Sequence, residues 1–169
     1  MSRRDRPDHF SRRARQEGYA ARSVYKLAEL QKRFHLLGGG DRVLDIGAAP
    51  GSWSQYARKI VGDAGLVTAV DLQPLPDLEQ LRGVVTICAD ILADETTARI
   101  ESLGPYNLVM SDAAPNTTGN RTVDTARSAA LVEHVVWLCA RILAPGGNLV
   151  AKLFQGGDEQ TLLAQVRGQ

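Results

Sequence analysis

Apolar residues along this chain recur in two spacings, which alternate from the second quarter of the sequence onward. Short apolar runs predict buried strands, and longer stretches with an apolar residue every three or four positions predict helices. The predicted strands are 42–46, 66–70, 84–89, 107–111 and 148–153, and the predicted helices are 23–37, 53–61, 96–103, 124–143 and 159–166. This alternation predicts an α/β domain with right-handed crossovers and a mostly parallel sheet covered by helices on both faces.

Three of the predicted strands are followed by an aspartate, at Asp71, Asp90 and Asp112. In open parallel sheets, ligands bind beyond the carboxyl ends of the strands, near the point where strand order reverses. Each aspartate alone fits a strand cap or a turn equally well. Three of them beside one glycine-rich loop favour a shared ligand site.

That loop, Gly47–Ser52, joins the first strand to its helix and reads GAAPGS. Small residues let a ligand approach the backbone, and the helix N-terminus offers free N–H groups. The loop matches neither the dinucleotide fingerprint nor the phosphate loop, so a ligand with a carboxylate and no phosphates is favoured. Asp71 is then expected to accept hydrogen bonds from ribose hydroxyls, Asp90 from an adenine amino group, and Trp53 to line the same pocket.

Two lysines are candidates for chemistry at this site. Lys152 interrupts an otherwise apolar strand, where a charge is costly unless it is paired or functional. Lys26 lies on the first predicted helix, where sequence context alone favours a solvated surface lysine. Asp112 precedes the turn-like segment 113–116, which could serve structure alone.

Charge is concentrated at the N-terminus. Residues 1–33 hold ten Lys and Arg and four acids, a formal charge of +6, whereas the whole chain carries +1. A basic arm at 1–22, poorly ordered over 1–15, followed by a domain at 23–169, suggests a polyanionic partner. A solvated tail without a partner explains the charge equally well.

Few features point to a membrane, an exported protein or a metal. No apolar run reaches the roughly 20 residues of a membrane helix, and Asp5, Asp8 and Glu17 disfavour a mitochondrial leader. Cys88 and Cys139 sit in apolar surroundings and are expected to be buried thiols in the cytoplasm. The three histidines share no ligand spacing, so no metal site is predicted.

Four sequence blocks together resemble the FtsJ/RrmJ-type ribosomal RNA 2′-O-methyltransferases. They are SVYKL at 23–27, LDIGAAPGSWSQY at 44–56, MSDAAPN at 110–116 and VAKLFQG at 150–156. The resemblance extends over roughly residues 18–165 and implies a Rossmann-like methyltransferase fold with S-adenosylmethionine as cofactor. It implies cofactor contacts at Gly51, Trp53, Asp71, Asp90 and Asp112, and catalytic roles for Lys26, Asp112 and Lys152.

The resemblance implies methyl transfer to a ribose of large-subunit ribosomal RNA, with Lys152 as general base. The protein is expected to be a cytoplasmic monomer. The basic arm and first helix would contact the RNA. Transfer RNA and messenger RNA caps stay open as substrates. Ser52 stands where the family usually has a second glycine, a change that keeps the side chain small.

A second departure concerns the family's fourth catalytic residue, a glutamate in a C-terminal hairpin. No residue of this chain matches it, since Glu159 is too close to Lys152 in sequence. The domain is therefore expected to lack its last two strands and to be C-terminally incomplete. An inactive module that binds cofactor and RNA is the resulting alternative.

Overall fold

The computed structural model describes residues 9–113 and 119–152. Its elements in chain order are α1 (His9–Gln16), α2 (Val24–Phe34), β1 (Arg42–Ile46), α3 (Ser52–Val61), β2 (Leu66–Asp71), α4 (Pro76–Glu79), β3 (Val84–Cys88), α5 (Asp94–Leu103), β4 (Tyr106–Ser111), α6 (Arg121–Ile142) and β5 (Leu143–Ala151). None of the described helices is long and apolar enough to span a membrane.

The five strands form one sheet in the order β3-β2-β1-β4-β5, and every neighbouring pair is parallel. Strand order reverses between β1 and β4, because the chain first builds outward from β1 to β3 and then returns to the other side. The predicted α/β fold with a parallel sheet is confirmed. A ligand site is expected above the β1–β4 pair, at this switch point.

Neighbouring residues of β1 face the two helical layers in turn. Val43 packs in one buried cluster with Ala57 of α3. Leu44 packs in the opposite cluster with Ile100 of α5 and Leu138 of α6. Each fully buried side chain of this kind contributes about 1.5–3 kcal/mol, so the sheet is fixed between its helices and its strand ends are rigid supports for a site.

Strand β5 starts earlier than the predicted 148–153. Its pairing with β4 jumps from Tyr106 opposite Leu143 to Leu108 opposite Asn148, so the segment 144–147 bulges out of the ladder. The pairing then runs on to Ala151 opposite Ser111. Residues at the carboxyl ends of β4 and β5 consequently lie side by side.

The expectation of poor order over 1–15 is wrong for the described part of the arm. Residues 9–16 form α1, where Ala14 is fully buried. Just beyond, Glu17 accepts hydrogen bonds from Arg13 at 2.7 Å and from the Tyr25 hydroxyl of α2 at 3.0 Å. The segment has few apolar residues, so its order depends on these contacts with α2. Residues 1–8 lie outside the described residues.

Two other expectations need correction or lie outside the described residues. Cys88 is exposed, because it ends the edge strand β3, whereas Cys139 is buried. Burial raises the pKa of the Cys139 thiol to about 12. The helix predicted at 159–166 and residue 153 fall outside the described part of the chain.

Candidate active site

The loop after β1 packs directly against the backbone after β4. Gly47 has φ +74°, and a Cβ atom there would lie 2.5 Å from Ala113 Cα. The Gly47 and Ala48 amides both donate to the Val70 carbonyl oxygen, at 2.9 and 3.1 Å. Only glycine fits this position, because both the positive φ and the close approach exclude a side chain.

A cavity of about 750 Å³ opens beside this loop at the carboxyl ends of β1, β2 and β3. Its lining includes Gly47, Asp71, Asp90 and Asp112 from the strand ends, and Arg127 and His134 from α6. The size is typical of a site for a small molecule or cofactor. The structure thus brings together the three strand-end aspartates that the sequence singled out.

Two of these aspartates also shape the local backbone. Asp71 accepts the Ala49 amide on Oδ2 at 2.9 Å and the Gln73 amide on Oδ1 at 2.8 Å. Asp90 accepts the Leu92 amide on Oδ1 at 3.0 Å. A carboxylate oxygen can accept two hydrogen bonds, so forming these turns leaves each carboxylate able to bind a ligand.

Lys152 and Asp112 meet at the ends of β5 and β4. The Lys152 Nζ donates to Asp112 Oδ1 at 2.9 Å and to the Asp112 carbonyl oxygen at 3.3 Å. The Lys152 amide also donates to the Ser111 carbonyl oxygen at 2.8 Å, which continues the strand ladder. Both side chains are 32% exposed, so water screens the pair and it adds under about 1 kcal/mol to stability.

Lys26 is not brought into this pair. It is exposed on α2, and among the described residues no ion pair joins it to Asp112. The helix itself is well placed, since Leu27 packs in the same buried cluster as Met110 of β4. Helix α2 therefore packs on the same side of the sheet as α3, whose Ala57 belongs to that cluster.

Gly51 and Trp53 lie at the start of α3, outside the lining of this cavity. Trp53 is 5% exposed, and its indole Nε1 donates to the Ser23 carbonyl oxygen at 2.9 Å. Gly51 has φ +107°, and a Cβ there would press on Leu78 at 3.1 Å. Trp53 thus fastens α2 to α3, and contact of either residue with a cofactor stays a prediction.

The sequence pattern did not single out Asp45 of β1 as a site residue, although it too interrupts an apolar strand, RVLDI. It is 1% exposed, and Ser54 donates to its Oδ2 at 2.6 Å. None of the described residues hydrogen-bonds its buried Oδ1. Burial raises the pKa of Asp45 to about 7, the Ser54 hydrogen bond opposes this, and the negative charges of Asp112 and Asp71 add to it.

The raised pKa of Asp45 predicts a pH-dependent stability. The carboxyl binds its proton more tightly in the folded state, where its pKa is about 7, than at its ordinary pKa of 3.8. The stabilisation of the fold that this proton contributes is therefore complete below about pH 4 and is lost as pH rises through 7. The loss is up to about 4 kcal/mol. Asp45→Asn cannot ionise, so its stability relative to the wild type should rise by that order between pH 4 and pH 8, measured by urea denaturation.

The matched control is Asp77→Asn, on the exposed side of α4. Its stability relative to the wild type should stay constant across the same pH range. A difference in stability between Asp45→Asn and the wild type that is the same at every pH would reflect the buried amide. The dependence of that difference on pH is therefore the informative quantity. A slope equal to that of the Asp77 variant would contradict a raised pKa at Asp45.

No group of three or more His, Cys, Asp or Glu side chains within the described residues could hold a metal ion.

The sequence model of the FtsJ-like methyltransferase family matches residues 19–169. Ribosomal RNA large subunit methyltransferase E of Treponema denticola is 47% identical over 161 residues, covering 95% of this chain and 81% of that protein. The protein of the same name from Syntrophobacter fumaroxidans is 48% identical over 162 residues, with coverage of 95% and 81%.

Solved structures share the fold at lower identity. A Plasmodium falciparum protein assigned as a ribosomal RNA methyltransferase has a TM-score of 0.78 at 23% identity, covering 89% of this chain and 86% of that one. Fibrillarin from Aeropyrum pernix, in complex with S-adenosylmethionine, has a TM-score of 0.65 at 18% identity, covering 86% and 66%. The family match and the curated relatives confirm the resemblance: this chain belongs to the FtsJ-like methyltransferase family, with a Rossmann-like fold and S-adenosylmethionine as its methyl donor.

Proposed function

We propose that this methyltransferase modifies a ribose 2′-oxygen of large-subunit ribosomal RNA, with Lys152 as the general base. The observation that carries the proposal is the 2.9 Å ion pair between Lys152 and Asp112, beside the cavity that Asp112 lines. The names of the relatives support ribosomal RNA as the substrate. The sequence resemblance supports the ribose oxygen as the target atom.

The cavity offers groups that suit S-adenosylmethionine. Gly47 lies in the cavity wall, where the absence of a Cβ lets its backbone pack directly on Ala113. We assign Asp71 to the ribose hydroxyls and Asp90 to the adenine amino group, each through oxygen lone pairs that the turns leave available. When bound, S-adenosylmethionine supplies an electrophilic methyl group on a sulfonium. Gly51 and Trp53, at the start of α3, are proposed to complete this site.

Lys152 can accept the ribose proton only as a neutral amine. The Asp112 carboxylate, 2.9 Å from Nζ, is proposed to hold that atom in place. Lys26, exposed on α2, is the third proposed catalytic residue, and its role would be to bind a phosphate of the RNA beside the reacting ribose.

Product mapping tests this function. The protein is incubated with tritium-labelled S-adenosylmethionine and, in parallel, with large ribosomal subunits, free ribosomal RNA, transfer RNA and capped messenger RNA. We expect label in large-subunit RNA at a ribose that resists alkaline hydrolysis, because a methylated 2′-oxygen cannot attack its neighbouring phosphate. Label only in transfer RNA or caps would reassign the substrate. Cofactor binding without any transfer would favour the inactive RNA-binding module.

The basic helix α1 is the proposed RNA contact, and salt dependence tests it. Arg12 and Arg15 are exposed there, whereas the neighbouring Arg13 is paired with Glu17. Replacing both exposed arginines by alanine should weaken RNA binding at low salt. It should also reduce the slope of log K against log salt by about 1.4 to 1.8, since each phosphate contact contributes about 0.7 to 0.9. Filter binding between 50 and 200 mM salt provides the measurement.

Arg82→Ala combined with Arg99→Ala is the matched control. Both side chains are exposed, and both lie away from α1, before β3 and on α5. The control removes the same charge and should change the slope by less than about 0.5. An equal change in both double variants would attribute the effect to net charge and argue against α1 as the contact.

A further inference from the structure

Helix α6 is joined to the turn after β3 by one hydrogen bond. The His134 Nε2 lies 3.0 Å from the Ile91 carbonyl oxygen, across 43 residues of sequence. A carbonyl oxygen can only accept, so Nε2 carries the hydrogen and donates it. This bond fixes the orientation of the ring and the distance between α6 and the turn.

The turn held in this way is the one that carries Asp90. Asp90 accepts the Leu92 amide on its side chain at 3.0 Å and the Ala93 amide on its carbonyl oxygen at 3.1 Å. Ile91 between them is 8% exposed and packs in the core with α6 residues. The turn is therefore closed locally by Asp90 and held from outside by His134.

His134 also lines the cavity beside this turn, together with Asp90, Ile91 and Leu92. Leu92 is 56% exposed at the cavity rim, and Leu72 after β2 is 67% exposed there. This end of the cavity presents apolar side chains and one carboxylate acceptor. Such a combination suits a flat heteroaromatic base that carries an exocyclic amino group.

We propose that His134 is a positioning residue for the adenine base of the methyl donor. Through the Ile91 carbonyl it fixes the turn, so that the Asp90 carboxylate points at the amino group of the base. The inference rests on the assignment of Asp90 in the proposed function. It adds a residue of α6 that acts through the backbone of the turn after β3.

Binding of S-adenosylhomocysteine by calorimetry, without RNA, tests the inference. His134→Leu removes the donor and should weaken this ligand about ten-fold. S-inosylhomocysteine, which has an oxo group in place of the amino group, should bind the wild type more weakly and lose less than about two-fold in the variant. The preference for adenine should therefore shrink in His134→Leu.

Two further variants separate positioning from a general packing role. His134→Gln can donate an amide N–H to the same carbonyl and should keep the wild-type affinity within about three-fold. Glu133→Leu, an exposed neighbour on α6, should bind both ligands like the wild type. An unchanged adenine preference in His134→Leu would overturn the inference, as would equal loss of both ligands with a lowered melting temperature.

Failure of the inference and failure of the proposed function give different results. A wild type that prefers S-adenosylhomocysteine but methylates no ribosomal RNA would defeat the proposed substrate and leave the role of His134 intact. A wild type that methylates ribosomal RNA but binds both ligands equally would overturn the inference alone.

Discussion

Lys152→Ala is expected to transfer methyl groups about 100 to 10,000 times more slowly than the wild type, because it removes the proposed general base. Binding of S-adenosylhomocysteine should change by less than about three-fold, since Lys152 does not line the described cavity. The melting temperature should stay within roughly 2 °C, because the pair with Asp112 is one-third exposed and adds little stability. Single-turnover methyl transfer and calorimetry are the two measurements.

Lys152→Arg distinguishes a base from a fixed positive charge. Arginine keeps the charge and can pair with Asp112, but its guanidinium stays protonated and cannot act as a base. The variant should be as slow as Lys152→Ala. Arg82→Ala, which removes an exposed cation before β3 and outside the proposed RNA contacts, should retain full activity as the matched control. Near-normal transfer by Lys152→Arg would show that positive charge suffices and would exclude Lys152 as the base.

Gly47→Ala is expected to weaken S-adenosylhomocysteine binding on the order of 100-fold, about 2.7 kcal/mol. The new Cβ would lie 2.5 Å from Ala113 Cα, so one of the two backbone segments must shift, and the hydrogen bonds of the loop to the Val70 carbonyl oxygen resist that shift. The positive φ of +74° adds about 1–2 kcal/mol of strain. The melting temperature should fall by about 5–10 °C. Calorimetry and thermal denaturation measure the two effects.

Gly146→Ala is the matched control for this substitution. Its φ of +78° is nearly the same, but nothing lies within 4 Å of the point that a Cβ would occupy there, in the bulge of β5. The variant should lose stability through backbone strain only and bind the ligand normally. If the two glycine variants bound S-adenosylhomocysteine equally well, close packing of the loop on Ala113 would not be what shapes the cavity.

Local pattern was sufficient for most of the strands. The run RVLDI predicted a strand at 42–46, and β1 has these bounds. The strand predicted at 66–70 extends one residue further, to Asp71. Strands buried on both faces are continuous apolar runs bounded by polar residues and glycine, so their limits are visible in the sequence. Because the strand ends could be predicted, the aspartates that follow them could be predicted to lie together at the cavity.

Residues whose hydrogen-bond partners are far away in the sequence were harder to predict from local pattern. No local pattern around Trp53 indicated that its indole nitrogen bonds the Ser23 carbonyl oxygen, 30 residues away. His134 looked like an isolated histidine, because its partner, Ile91, is 43 residues away. Asp45 carried a readable signal, a charge within a buried strand, but its raised pKa comes from complete burial in the packed molecule, which the Ser54 hydrogen bond opposes.

The amino-acid sequence therefore specifies which elements form and which chemical groups stand at their ends, because hydrophobic periodicity and turn residues act over a few neighbours. The strand order β3-β2-β1-β4-β5 is a property of the packed molecule. It places β4 between β1 and β5, so that Asp112 reaches Lys152 across 40 residues and Ala113 closes on Gly47. Such pairings depend on the burial of two helical layers at once, and no local stretch of the chain contains that information.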